Sequence, residues 1–395
     1  MAGPAMLRGL VVLLFVPTSA THAAVKITAG ELVLVCSRYD LGAIRSVRRF
    51  KGGSRQAPKV LIESDQGLFL LKRRAPHPST SAPVGSPALA GDEQFSERVA
   101  LCHEVQLFLG SRGFPVARLV GTRGTNNSML ELNGFIYEVF GFVRGVRYDR
   151  TPPAAAESGR QLARLHQHLR ELVPKWTPPP STTFHAHPAA VRTINELPKR
   201  LNDPSVSGPV SLLSAAYERA CDRAEALGVG ARPTQLIHGD WHPGNLLYTE
   251  GAVPPTVAAV LDFDSMRIGA PILDLANAAF QFSVLRRADD GPGEAGSAMA
   301  SLPHQPTPRI SINAEAFRAF YAGYRSVERG RILDEELAVI PWLMIEAMVV
   351  ETVAPIAATG RFGKLGAAQA LAMTAQATDW VGAEAERLVS LAASP

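Results

Sequence analysis

Three cysteines in 395 residues, Cys36, Cys102 and Cys221, are too few for a disulfide framework. Two of them lie in apolar runs and read as buried thiols, which favours a reducing compartment. No run of 18 apolar residues occurs, so no spanning helix is expected. Residues 341–359 come closest, but Glu346 and Glu351 interrupt them. Charge of one sign is also scarce: the formal net charge of +4 is too small to argue for a nucleic-acid partner. There is no internal repeat, which sets aside solenoids and propellers.

What is present is a chain long enough for two lobes, with 46% hydrophobic residues to fill their cores. The charges are unevenly spread. Residues 1–159 hold 19 Lys+Arg and 12 Asp+Glu, a net of +7; residues 160–395 hold 21 and 24, a net of −3. A basic half suits phosphate groups, and a mildly acidic half suits a neutral or cationic small molecule. Arg8, the apolar residues 10–16 and the small residues 20–24 look like a secretory leader, so residues 1–24 are set apart as a leader or extension.

The most informative stretch is Ile237-His238-Gly239-Asp240-Trp241-His242-Pro243-Gly244-Asn245-Leu246-Leu247-Tyr248, followed by Val260-Leu261-Asp262-Phe263-Asp264. An Asp, an Asn and a second Asp fall where a phosphoryl-transfer site needs them. Asp240 can hold and deprotonate an attacking hydroxyl. Asn245 and Asp262 offer hard oxygen donors of the kind Mg²⁺ prefers. The five-residue step from Asp240 to Asn245 is that of a kinase catalytic loop. Leu246-Leu247-Tyr248 and residues 257–261 read as two strands with Gly251 and Pro254-Pro255 between them. Such a hairpin would bring Asn245 beside Asp262.

His238-Gly239-Asp240-Trp241-His242-Pro243-Gly244-Asn245 resembles the H-G-D-x-H-x-x-N signature of the aminoglycoside phosphotransferase and choline/homoserine kinase-like superfamily. Leu261-Asp262-Phe263-Asp264 with Asp274-Leu275-Ala276 is similar to that family's second motif, and the likeness spans residues 40–280. The resemblance implies an α+β, protein-kinase-like fold. A small antiparallel-sheet lobe with one helix, residues 25–142, would be followed by a larger, mostly helical lobe, residues 143–395. It implies ATP and Mg²⁺ in the cleft between them. By the family pattern Lys72, ending the strand at residues 67–72, is the α/β-phosphate ligand. Glu104, on a helix over residues 96–109, is its orienting partner. Lys72 is expected to be an exposed cleft lysine contributing little to the core. Gly52, Gly53 and Ser54 form the turn that covers phosphates in the family, although here it lacks the G-x-G-x-x-G spacing. Residues 134–142 read as a strand leading into the hinge that meets the adenine, and Thr28 through Glu31 as a capping box opening a helix.

Other roles stay open in the sequence. Asp264 reads equally as a metal ligand, a substrate contact or a solvated carboxylate. Trp241 either lines the acceptor pocket or covers the loop. Asp274 reads as a structural brace, and His238 as a brace for the catalytic loop. Two rival readings are a metal-dependent hydrolase built on His238, Asp240, His242, Asp262 and Asp264, and a non-catalytic nucleotide-binding module. The reading adopted is a phosphotransferase acting on a hydroxyl of an amino alcohol, homoserine-like compound, sugar or aminoglycoside. Neither nucleic acid nor membrane is expected as a partner. A cytoplasmic location is expected because ATP is scarce elsewhere.

Overall fold

The computed structural model describes residues 27–50, 57–75, 91–178, 183–285, 311–327 and 334–394. The leader-like segment, the Gly52-Gly53-Ser54 turn, and most of the Pro/Ser/Ala-rich stretch after residue 75 and of the Gly-rich stretch after residue 287 lie outside these residues.

Helix α1 (Ala29–Cys36) opens on a complete capping box. The Thr28 side chain accepts from the Glu31 N–H, and the Glu31 carboxylate accepts from the Thr28 N–H. Strands β1 (Ile44–Arg49), β2 (Lys59–Ser64) and β3 (Gly67–Arg74) follow. Helix α2 (Gly91–Ser111) precedes β4 (Leu119–Val120), β5 (Leu130–Leu132) and β6 (Phe135–Gly141). These strands form one antiparallel sheet in the order β1-β2-β3-β6-β4, with β5 also paired to β6. Alternating side chains put Ile62, Phe69, Leu71, Tyr137 and Val139 into a small core against Val35 and Tyr39.

The rest is mostly helical. Helices α3 (Pro152–Glu171), α4 (Ala190–Leu201) and α5 (Ser207–Ala226) lead to three short strands, β7 (Gln235–Ile237), β8 (Leu246–Tyr248) and β9 (Val257–Val260). Strand β10 (Arg267–Gly269) and helices α6 (Pro271–Ser283), α7 (Ala314–Arg325), α8 (Asp334–Leu337), α9 (Ile340–Thr359), α10 (Ala367–Ala383) and α11 (Ala385–Ala393) complete the chain. An antiparallel sheet with helices α1 and α2 is thus followed by a mostly helical part, through which one large apolar core runs.

Helix α9 is the one described helix long and apolar enough to cross a membrane, yet most of it is buried within the protein. Its two glutamates are each hydrogen-bonded inside the fold: Glu346 to His185, and Glu351 to Asn277 and Gln281. A core helix passes the same compositional test as a membrane span, and partnered carboxylates mark it as the former.

Candidate active site

Two strand pairings build the site. In the β8–β9 hairpin Leu246 faces Val260, and the Leu261 N–H donates to the Asn245 carbonyl at 2.8 Å. The hairpin therefore sets Asn245 and Asp262 side by side, as its sequence implied. Strand β7 pairs antiparallel with β10, Ile237 opposite Arg267, so the loop after β7 lies against the segment before β10. Gly239 sits at that contact with φ +77°, and a Cβ there would come 2.4 Å from the Ser265 carbonyl oxygen. Both the backbone angle and the close approach demand glycine in the His-Gly-Asp motif.

Asp274, at the N-terminal end of α6, braces the catalytic loop. Its carboxylate accepts from the His238 N–H at 2.7 Å and the Gly239 N–H at 2.8 Å, and lies 3.2 Å from His166 Nε2. His166 in turn contacts the Tyr324 hydroxyl at 2.9 Å. The buried His238 ring donates from Nε2 to the Leu261 carbonyl at 3.3 Å and accepts the Asp240 N–H on Nδ1 at 3.3 Å. Those partners require the neutral tautomer. Burial holds its pKa down against the nearby Asp274 and Asp240. Trp241 is fully buried in the core, its indole N–H donating to Ser158 Oγ at 3.0 Å, so it covers the loop rather than lining a pocket.

Asp240 remains open to the cleft, its side chain 40% exposed. Asn245 Nδ2 donates to the Asp240 carbonyl at 2.9 Å and to Asp240 Oδ2 at 3.1 Å. His242 Nε2 stands 3.6 Å from the same Oδ2. Burial works to raise the Asp240 carboxyl, but the hydrogen bonds and charge of His242 outweigh it and keep the pKa below the ordinary value. Asn245 spends its amide nitrogen on Asp240, which leaves its carbonyl oxygen as the atom available to a cation. Asp262 is exposed to the cleft in the left-handed region, at φ 59° and ψ 68°. Its carboxyl is raised by the cleft walls and then by the adjacent charge of Asp264.

Asp264 is paired with two cations and is not simply a solvated carboxylate. Arg74 grips it with a two-pronged contact, Nη1 to Oδ2 and Nη2 to Oδ1, both at 2.6 Å. Lys72 Nζ adds a third bond at 3.0 Å. Burial would raise Asp264, but Arg74 and then Lys72 hold it well below the usual carboxylate range. Lys72 is correspondingly buried, at 8% exposure, and not the exposed cleft lysine expected from the sequence. Its ammonium faces the loop of Asp262 and Asp264.

Glu104 is not brought to Lys72. It lies on another face of α2, where its carboxylate accepts the Lys175 N–H at 3.0 and 3.2 Å. The sequence placed it on the right helix, but helical spacing cannot say which face meets β3. Three groups went unread. Arg74 follows Lys72 by two residues and so shares its face of the strand. Glu138 lies directly opposite Lys72 on β6 and is fully buried. Its signal was a charged residue inside the apolar strand Phe135-Ile136-Tyr137-Glu138-Val139-Phe140. Glu351, on α9, is a third. Burial and then the charge of Asp240 push its carboxyl up to about 7, while Asn277 Nδ2 and Gln281 Nε2 donate to it at 2.5 and 2.9 Å.

The model of the phosphotransferase enzyme family matches residues 46–309, and the chain belongs to that family. The family is one of phosphotransferase enzymes. No functionally curated protein matches it. Among solved structures, the microcompartment-associated aminopropanol kinase is 17% identical with a TM-score of 0.61, covering 90% of this chain and 97% of its own. An aminoglycoside phosphotransferase from Alicyclobacillus acidocaldarius is 18% identical with a TM-score of 0.57, covering 90% and 95%. Choline kinase from Cryptosporidium parvum is 11% identical with a TM-score of 0.51, covering 87% and 90%. At these identities the likeness is one of fold.

Proposed function

We propose that the protein transfers the γ-phosphoryl group of ATP to a hydroxyl of a small molecule. The observation that carries the reading is the joined pair of Asp240 and Asn245, bonded through one amide, with Asp262 set beside Asn245 by the hairpin. Asp240 would receive the acceptor hydroxyl, orient it and take its proton late in the transfer. His242 and Asn245 hold the carboxylate ionised and aimed. Lys72 would contact the nucleotide phosphates. Asn245 and Asp262 are hard oxygen donors suited to Mg²⁺, which when bound would neutralise charge on the phosphates. Nucleotide binding is further supported by the fold likeness to spectinomycin phosphotransferase, solved with ADP and spectinomycin at a TM-score of 0.52.

The hydrolase reading finds no support. His238, its first ligand, is spent on two backbone contacts, and no group of three or more His, Cys, Asp or Glu among the described residues is arranged to hold a metal. For the acceptor we favour an amine-bearing alcohol. Glu351 of α9 is half-buried, accepts from Asn277 and Gln281, and has its carboxyl raised first by burial and then by the charge of Asp240, so a protonated amine near these acids would be favoured. The names of the aminopropanol and choline kinases point the same way. A lobe boundary at residue 142 and a cytoplasmic location belong to the same proposal. ATP consumption across a panel of amino alcohols, sugars, homoserine and aminoglycosides tests it. Turnover on an amine-bearing alcohol is expected, and nucleotide hydrolysis indifferent to every acceptor would sink the reading.

A further inference from the structure

Phosphoryl transfer depends on holding cations rigidly at the phosphates, and among the described side chains of helix α2 no carboxylate pairs with Lys72. Neither Glu97 nor Glu104 pairs with it. Instead α2 grips the backbone of the metal-side loop. Arg98 Nη2 donates to the Asp264 and Met266 carbonyls at 2.8 and 3.1 Å, and Cys102 Sγ contacts the Phe263 carbonyl at 3.2 Å. The carboxylate comes from the sheet. In register across three strands stand Lys59, Lys72 and Glu138. Residues opposite one another in an antiparallel pair share a face, with their Cβ atoms about 5 Å apart. Glu138 Oε2 accepts from Arg74 Nε, and Oε1 accepts from Arg74 Nη2 at 3.2 Å. His103 Nε2 lies 2.6 Å from the same Oε1, and its Nδ1 is 2.8 Å from Ser128 Oγ. Glu138 is thus fixed from two sides and in turn fixes Arg74, whose other edge meets Asp264 beside Lys72.

Resting on the nucleotide-cleft reading above, we propose that Glu138 is the positioning residue for the phosphate end of the cleft. Braced by His103, it aligns Arg74 and, through the shared partner Asp264, Lys72 for the nucleotide phosphates. A buried ion pair is a poor source of stability, since an apolar pair of the same volume serves the fold as well. Here the cations that Glu138 governs are the ones aimed at the Asp262–Asp264 loop. Burial works to raise its carboxyl, but Arg74, His103 and Lys72 bring it down to about 2, so it is ionised at every working pH.

The test separates phosphate from base recognition. Binding of adenosine and of β,γ-methylene ATP, each with Mg²⁺, is measured by titration on the full chain carrying Glu138→Gln, which keeps shape and loses charge. Affinity for the ATP analogue is expected to fall about ten- to a hundredfold, with adenosine binding unchanged and Glu104→Gln indistinguishable from the unaltered protein. Equal losses for both ligands would show a merely structural role, and no loss for the analogue would equally overturn the assignment. If Glu138→Gln does not fold, His103→Gln decides. A smaller loss confined to the analogue is expected, and unchanged analogue binding in that folded variant overturns the proposal. Failure of the unaltered protein to bind the analogue at all would count against the nucleotide reading itself.

Discussion

Asp240 and Asp264 are both acids of the cleft, and their surroundings give them opposite duties. Asp240 keeps a solvent-facing oxygen and only two side-chain partners, so it can receive a substrate. Replacing it by Asn preserves shape and removes the proton acceptor. We expect kcat to fall by roughly 10²–10⁴ with nucleotide affinity nearly unchanged. Steady-state kinetics beside a nucleotide titration checks this, and an unchanged kcat would dismiss Asp240 as the base. Asp264 is committed to Arg74 and Lys72. Asp264→Asn leaves two cations short of a partner, so a stability loss of about 1–3 kcal/mol is expected by denaturant titration. Asp262→Asn, in an exposed carboxylate, should leave stability within about 0.5 kcal/mol and raise the Mg²⁺ requirement. A reversal of the two stability effects would mean that the roles of the acids are exchanged.

Two packed elements carry consequences of their own. Helices α3 and α7 cross so closely that a Cβ on Gly323 would lie 1.9 Å from the Ala156 carbonyl oxygen, and one on Gly159 would lie 2.0 Å from that of Phe320. Backbone cannot give way as a side chain can, so Gly323→Ala must push the helices apart. A cost of about 1–3 kcal/mol or more is expected. Gly208→Ala, where nothing lies within 4 Å, is the matched control and should cost nothing. Helix α9 offers the second case. Its Glu346 holds the segment before α4 through both oxygens, each 3.0 Å from His185 Nδ1, and the Ala186 N–H adds a bond at 3.0 Å. Burial opposes protonation of His185, but Glu346 and then Glu225 outweigh it and raise its pKa. A histidine with a raised folded pKa stabilises fully below its unfolded pKa and loses that contribution as pH climbs through the folded value. The stability gap between the natural protein and His185→Gln should therefore be about 1–3 kcal/mol near pH 5.5 and shrink above neutrality. Urea titrations across that window measure it; a gap that widens with pH would refute the assignment.

At the scale of the molecule, Lys72 and Arg74 come from the sheet, Asp264 from the helical lobe, and their ion pairs bridge the two. A ligand spanning that seam stabilises the assembled cleft by mass action. Mg²⁺ and ADP at a hundred times their dissociation constant should add about 2.7 kcal/mol, a rise of several degrees in Tm. Lys72→Ala should diminish that rise and lower the starting Tm, since the lysine is buried and paired. Thermal unfolding with and without nucleotide reads both effects, and a full rise in the variant would remove Lys72 from the phosphate site.

The motif residues were legible in the sequence because local rules decide them. The hairpin brings Asn245 to Asp262 through turn chemistry and strand pairing within twenty residues, and Gly239 marks a backbone that only glycine adopts. The capping box at Thr28 and the strand that carries Lys72 were readable for the same reason: short-range periodicity and side-chain-to-backbone bonds specify them. Tertiary structure alone decided which face of α2 turns inward, and so left Glu104 on Lys175 and not on Lys72. It also decided that β6 lies against β3 with Glu138 opposite Lys72, and that Glu351 of α9 meets Asn277 and Gln281 of α6. Spacing along one element carries no information about the register or rotation of another. Packing across many residues of intervening chain sets those, and electrostatics follows from where packing leaves each charge.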